Sequence, residues 1–406
     1  MDTADLADPD LYLQGVPHAL FARLRAKDPV HWNPPGAYPG FWAVTRYADI
    51  VEVSRQPELY SSATANGGHR IFDEEEAGIA GMGESAIGTP FISIDPPEHV
   101  QYRKIVMPAL APGRIAGIEA RITARVEALL ADVPLGEPFD LVERLAAPLP
   151  ILTLCELIGV EPDLWPTLYR WTNAFVGEDD PDFRASPEAL QATLGEFMAF
   201  SQALFDERRQ NPGPDIATRL ATEGPDGQPP KFRDFIANLI LTLVGGNETT
   251  RNSISHTVMA LAADPAQWRL LRENPELLGN APREMVRHAS PVLHMRRTAM
   301  ADTELGGKRI LKGDRVVLWY PSGNRDEAAF ERPDAFDVRR GNVQHVGFGT
   351  GQHVCAGSRL AEMQLRVLFA ALSRRVAQFE VQGEPARFRS NFIHGLKSLE
   401  VVLREG

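Results

Sequence analysis

Residues Phe348-Gly349-Thr350-Gly351-Gln352-His353-Val354-Cys355-Ala356-Gly357 form a glycine-rich stretch that runs directly into SRLAEMQLRVLFAALSRRV, a helical pattern. The loop therefore delivers a cysteine to the start of a helix. Backbone N–H groups and the helix dipole at that position favour a thiolate over a thiol. Gly351 and Gly357 let the backbone approach something flat and bulky beside the sulfur. A thiolate held this way is a good ligand for haem iron and pushes electron density toward O–O cleavage. Two other readings compete. A lone cysteine is usually a small buried hydrophobe, which fits Cys155 in the apolar run PILTLCELIGV. A nucleophilic Cys355 assisted by His353 is the second, but a two-residue offset on one loop does not by itself place the imidazole for proton abstraction.

Phe348, Gly351, Cys355 and Gly357 fit FxxGxxxCxG, which resembles the haem-thiolate signature of the cytochrome P-450 superfamily. The resemblance implies haem b with Cys355 as axial ligand and with Phe348 and Gly357 against the cofactor. Further motifs follow in the family's order from about residue 95 to 357, and PELYSS near residue 57 is also similar.

Each of those motifs has its own chemistry. Glu284 and Arg287, in REMVRHASPV, share a helical face at i, i+3 and can pair. On an exposed helix such a pair contributes little. Similarity to the family's ExxR implies a buried brace for the haem-binding loop, joined by Arg340 from Pro333, Phe336, Asp337 and Arg340, with Arg339 competing for the third place. His99 and Arg103, after Asp95-Pro96-Pro97, lie one helical turn apart. The family's HxxxR implies that both face haem propionates, since an arginine fork and an imidazole N–H suit carboxylates. By the same resemblance Arg297 and His353 complete that shell, with Arg296 a close competitor for Arg297.

Asp234 to Ala263 reads as one long core helix, apolar on nearly all sides in its first half. Gly245-Gly246-Asn247-Glu248-Thr249-Thr250 interrupts it. Two glycines cost about 1 kcal/mol each relative to alanine, and a buried polar run is costly unless it lines a cavity or water. The run resembles the family's oxygen-binding groove, which implies Gly245 against the cofactor and Glu248 and Thr249 handling protons for dioxygen. Positions matching family pocket residues are Leu241, Val244, Leu293, Phe392 and Ile393, all apolar. Arg283 before the ExxR glutamate and Ala356 after the cysteine depart from common family choices without removing a ligand.

The rest of the chain agrees. With 406 residues, 44% of them hydrophobic, and only two cysteines, a packed core needs no disulfide scaffold. The start, MDTADLADPDLYLQGVPHAL, has neither a basic n-region nor an apolar h-region, so no signal peptide is expected. The longest apolar stretch is far short of a bilayer span. A net charge of -12 argues against binding nucleic acid through a general basic field. Short strands are expected at Val30–Trp32 and Phe41–Val44, near Val292–Thr298 and Val316–Trp319, and within 378–402. The long stretch from Ser62 to Pro97 is either disordered or functional.

The expected fold is mostly α with small β-sheets, a single P-450 domain over 1–406. The expected activity is haem-thiolate monooxygenation of a largely apolar small molecule such as a terpenoid, a sterol side chain or another aliphatic or aromatic compound. Electrons would come from NAD(P)H through a reductase and a ferredoxin-type donor, because the chain has no nucleotide-binding fingerprint. A cytoplasmic monomer without membrane or nucleic-acid partners is expected. Arg103, Lys104, Arg114, Arg359 and Arg366 are expected to form a positive docking patch beside the cysteine loop. A haem-binding sensor or carrier without turnover is the alternative.

Overall fold

The apolar run read as a core helix is the spine of the molecule. In the computed structural model, which describes residues 4–74, 87–177, 179–183 and 186–406, it is a 32-residue helix, Phe232–Ala263. Its first half buries Phe235, Ile236, Leu239, Ile240 and Leu243. Its second half buries polar residues whose hydroxyl protons are satisfied one turn back on the same helix: Ser253 donates to Thr249 O, Ser255 to Arg251 O and Thr257 to Ser253 O. Asp264 ends it, accepting from the Ala266 N–H at 3.2 Å, while Pro265 opens the next helix.

The helices used below, in chain order, are α1 His18–Lys27, α2 Tyr47–Ser54, α3 Glu98–Val106, α4 Pro112–Ala131, α5 Pro148–Ile158 and α6 Trp165–Val176. They continue with α7 Pro187–Gln210, α8 Ile216–Thr222, the spine α9, α10 Pro265–Glu273, α11 Ala281–Ala289, the single turn α12 Tyr320–Gly323 and α13 Ser358–Ser373. Helices α5, α6, α8, α11 and α13 pack around α9, and one large apolar cluster runs through all of them.

Sheet content is small and scattered. Val30–Asn33 (β1) and Phe41–Val44 (β2) form an antiparallel pair. With Tyr60–Ser61 (β3), His294–Ala299 (β5) and Arg315–Trp319 (β8) they build a five-stranded sheet of order β1-β2-β8-β5-β3, while Pro138–Asp140 (β4), Thr303–Leu305 (β6) and Lys308–Ile310 (β7) belong to smaller sheets. Strand β5 carries Arg296 and Arg297, and alternation sends adjacent side chains to opposite faces. The short strands expected within 378–402 are Val376–Val381, Ala386–Arg387, Leu396–Ser398 and Glu400–Glu405. Of the long Ser62–Pro97 connection, residues 75–86 lie outside the described residues. Among the described residues, no helix is long and apolar enough to cross a membrane.

Candidate active site

A cavity lies between α9 and the cysteine loop. Helix α9 gives it one stripe, Thr242, Gly245, Gly246, Thr249, Thr250 and Ser253, whose spacing of three and four residues is a single helical face. Opposite stand Phe348, Gly349, His353, Cys355 and Gly357, followed by Leu360 of α13. The loop is held by the Cys355 N–H donating to Phe348 O at 2.8 Å. Gly351 has φ +70°, and a Cβ there would collide with the Ser54 carbonyl at the end of α2, so the loop seats against α2 only with glycine. A Cβ at Gly245 would instead meet open space, into the cavity.

The two cysteines separate cleanly. Cys355 is exposed, at the cavity, whereas Cys155 is fully buried in the apolar core of α5. Enclosure within the fold raises the Cys355 thiol pKa, and the Gly357 and Ser358 backbone N–H groups and Arg103 pull against it. The helix start therefore opposes the rise without reversing it; a coordinating metal would deprotonate the thiol outright.

Polar groups gather at one end. His99, Arg103, Arg297 and His353 all line the cavity, and the His99 and His353 rings sit 4.1 Å apart. Burial and neighbouring arginines lower the pKa of His99 to about 4 and of His353 to about 2. His99 Nδ1 and Nε2 and His353 Nε2 are buried without a partner. Arg103 reaches across to Val354 O at 2.6 Å, tying α3 to the loop. Arg297 donates to Arg296 O at 2.7 Å and otherwise faces the cavity. Arg296 points to the other side of β5, paired with Asp73 at 2.9 Å.

Beneath the loop, Glu284 and Arg287 on α11 are both 0% exposed and paired at 2.7 Å. Arg340 brings its Nε to 3.2 Å from Glu284 Oε2. Arg339 turns outward and binds Asp337 at 2.9 Å.

Several expected residues stand elsewhere. Glu248 does not line the cavity: one residue along a helix is a turn of about 100°, so with Thr249 on the cavity stripe Glu248 faces α6. There it is fully buried against Arg251, its counter-charge one turn on, and accepts from Asn247 Nδ2 at 2.9 Å. Burial raises its carboxyl pKa, with Arg251 opposing. Of the expected pocket residues, Leu241 lines the cavity but Val244, Leu293, Phe392 and Ile393 do not. Val244 packs into the main core. Leu293 is 0% exposed in a cluster with Val317 and Trp319 under the five-stranded sheet. Phe392 is stacked beneath Arg70 at 4.0 Å, and Ile393 bridges Val292. The apolar wall comes instead from Phe91, Ile92, Val292 and Met295. Met295 lies two residues before Arg297 on β5, which was the available signal for it.

Set against known proteins, residues 153–390 match the family model described as cytochrome P450. The chain is 65% identical over 403 residues to linalool 8-monooxygenase of Pseudomonas putida, covering 99% of each. It is 36% identical to the steroid C26-monooxygenase of Rhodococcus jostii, covering 98% of this chain and 84% of that one. This chain belongs to the cytochrome P450 family. Among solved structures, a Mycobacterium marinum cytochrome P450 in complex with pseudoionone superposes with a TM-score of 0.90 at 34% identity, covering 99% of each chain. Cytochrome P450-153 from Novosphingobium aromaticivorans gives 0.88 at 36%, covering 98% of this chain and 99% of that one.

The P450 is a monooxygenase of apolar small molecules, and its family uses haem b with an axial cysteine thiolate. The residues present fit that group. The cavity joins a thiol, apolar walls, two arginines and two histidines whose ring nitrogens are orphaned, the set that a flat apolar ring with carboxylate arms requires.

Proposed function

We propose that this P450 hydroxylates an acyclic terpenoid alcohol of the linalool type at its 8-position. The observation that carries the reading is the 65% identity to linalool 8-monooxygenase over 99% of both chains. The cavity wall of Phe91, Ile92, Leu241, Val292 and Met295 supports it. The chain is read as one domain over 1–406 working as a cytoplasmic monomer, with electrons from NAD(P)H through a reductase and a ferredoxin.

In this reading the Cys355 thiolate would hold the iron, and His99, Arg103, Arg297 and His353 would hold the propionates. When bound, the haem supplies dioxygen activation and insertion of one oxygen atom into a C–H bond. Phe348, Gly245 and Gly357 leave room for its faces. Glu284, Arg287 and Arg340 keep the loop beneath it rigid. Thr249 Oγ1 stands on the cavity stripe with its own proton on Gly245 O, leaving its lone pairs to accept and orient a proton there, and Glu248 reaches the same space only by leaving Arg251. Lys104 and Arg359 are exposed beside the loop, so with Arg103 they suit steering an acidic ferredoxin. Arg114 donates to Pro214 O, and Arg366 is offset by Glu119 at 2.7 Å, so neither leads the patch.

The test is turnover of linalool, a steroid and a straight-chain alkane by the haem-loaded protein with a surrogate reductase and ferredoxin. Hydroxylated linalool as the main product is expected; steroid products without linalool turnover would overturn the reading. Cys355→Ser should remove the thiolate-specific Soret band of the reduced carbon monoxide complex, and Cys155→Ser should keep it. Thr249→Ala should retain NADH consumption while diverting flux to hydrogen peroxide, since positioned proton transfer is worth about 10²- to 10⁴-fold. Product and peroxide per NADH measure this, and unchanged coupling would remove Thr249 from the proton path.

A further inference from the structure

The stripe that α9 presents to the cavity has a hydrogen-bond polarity. Thr242 Oγ1 donates to Asn238 O at 2.7 Å, Thr249 Oγ1 to Gly245 O at 2.8 Å, and Ser253 Oγ to Thr249 O at 2.8 Å. A hydroxyl has one proton and two acceptor lone pairs. With that proton committed to the backbone, each of these groups offers a ligand an acceptor and no donor.

Thr242 stands apart from the other two. It lies seven residues before Thr249, about 10 Å along the helix axis, away from the residues next to the cysteine loop. Asn238, one turn earlier, accepts from the Phe91 N–H at 2.9 Å and so fixes Phe91–Ile92 beside Leu241 and Thr242. Thr242 is thus the polar side chain that α9 contributes to an otherwise apolar stretch of wall. The arginines Arg103 and Arg297 and the imidazoles of His99 and His353 are grouped with one another at the propionate end.

We propose that Thr242 is a specificity-determining residue that accepts a hydrogen bond from a substrate hydroxyl, so that the site favours an alcohol over the ether of the same skeleton. The proposal deepens the terpenoid reading and rests on it only for the skeleton. Reversing the polarity would mean turning the Thr242 proton away from Asn238 O. An ether oxygen brings no proton, and buried beside an acceptor it is left unsatisfied.

The experiment is binding to the haem-loaded full chain, read as the spin-state shift of the Soret band, for two alcohol and methyl-ether pairs: linalool with its methyl ether, and a saturated ten-carbon tertiary alcohol with its methyl ether. A neutral hydrogen bond predicts about three- to tenfold tighter binding of each alcohol by the wild type. Thr242→Val, which keeps the shape and removes the acceptor, should erase the ratio, and Thr242→Ser should keep it. Equal binding of alcohol and ether by the wild type, a ratio that survives in Thr242→Val, or no binding of either alcohol would overturn the proposal. If only the saturated pair binds, and with the expected ratio, the terpenoid reading fails while the assignment of Thr242 stands.

Discussion

Two Glu-x-x-Arg pairs are buried in this P450, and they are satisfied to very different degrees. In Glu284–Arg287, both at 0% exposure, all five guanidinium N–H groups find acceptors. Arg287 Nε and Nη2 bind the two Glu284 oxygens at 2.7 and 2.8 Å. Its remaining donors reach Asn324 O, Pro333 O and Ala335 O. Glu284 also accepts the Asp337 N–H at 3.0 Å and faces Arg340. Glu248–Arg251 has the same spacing and burial but looser partners. Arg251 Nη1 reaches Tyr169 OH at 3.0 Å and Asn173 Oδ1 at 3.3 Å on α6, while its Nε and Asn247 Oδ1 are buried without partners. One pair is a closed knot joining α11 to the segment before the cysteine loop. The other is an adjustable contact between α9 and α6. Sequence spacing is identical in the two, so satisfaction, and not the motif, separates the closed knot from the looser contact.

The largest effect should come from breaking the closed knot. Arg287→Leu leaves Glu284 and several carbonyls unpaired in the core, and removing one partner of such a pair costs about 3–5 kcal/mol. Urea unfolding and the yield of haem-loaded protein measure it. Arg287→Lys should rescue little, because one ammonium cannot occupy five fixed acceptors. Arg251→Leu should cost less, about 1–3 kcal/mol, because Glu248, whose pKa burial already raises, can take a proton. That cost should shrink as the pH is lowered from 8 to 6. Equal costs for the two variants, both independent of pH, would mean that satisfaction does not distinguish the pairs.

A pH titration sharpens the same contrast. His288, next to Arg287, is held well below its ordinary pKa by burial and by Arg325 and Arg287. His256 is held well below by burial and His394, and burial brings His394 itself to about 4. Each binds fewer protons folded than unfolded below pH 6.5, so stability rises with pH across that window and is lost as the pH falls from about 6.5 toward 4. Glu248 has the opposite sign: its raised pKa makes its contribution largest in acid and lost as the pH rises through the folded value. Unfolding free energy measured from pH 8 to 5 should fall toward acid, and His288→Gln should flatten the slope. A profile unchanged by that substitution would exclude His288 as a source.

The smallest effect belongs to Tyr169→Phe, which removes one of the two α6 contacts of Arg251 and should cost about 0.5–1.5 kcal/mol. Thermal unfolding beside Asn173→Ala checks it. A loss as large as that of Arg251→Leu would make the contact a closed knot as well.

Most of the frame was legible from local spacing. The Cys355 loop, the long helix ended by Asp264-Pro265, and the i, i+3 pairing of Glu284 with Arg287 depend on residues within a turn or two of each other, where backbone geometry fixes who can meet. Strand pieces β1, β2, β5 and β8 were legible for the same reason. The Leu293, Phe392 and Ile393 assignments misled because apolar character is shared by a cavity wall and a core, and both demand the same residue types.

What the sequence by itself determined is the inventory and its order: a cysteine loop entering a helix, an ExxR helix, a polar interruption in an apolar spine, and an arginine pair on a strand. What only the tertiary structure decided is direction. Arg297 faces the cavity and Arg296 faces Asp73 because neighbours on a strand point to opposite sides, and the sequence does not say which side the cavity is on. Arg340 meets Glu284 while Arg339 binds Asp337 for want of a shared face. Glu248 turned to Arg251 and α6, away from Thr249, because a buried carboxylate goes where a counter-charge can follow it, and that is fixed by packing between helices.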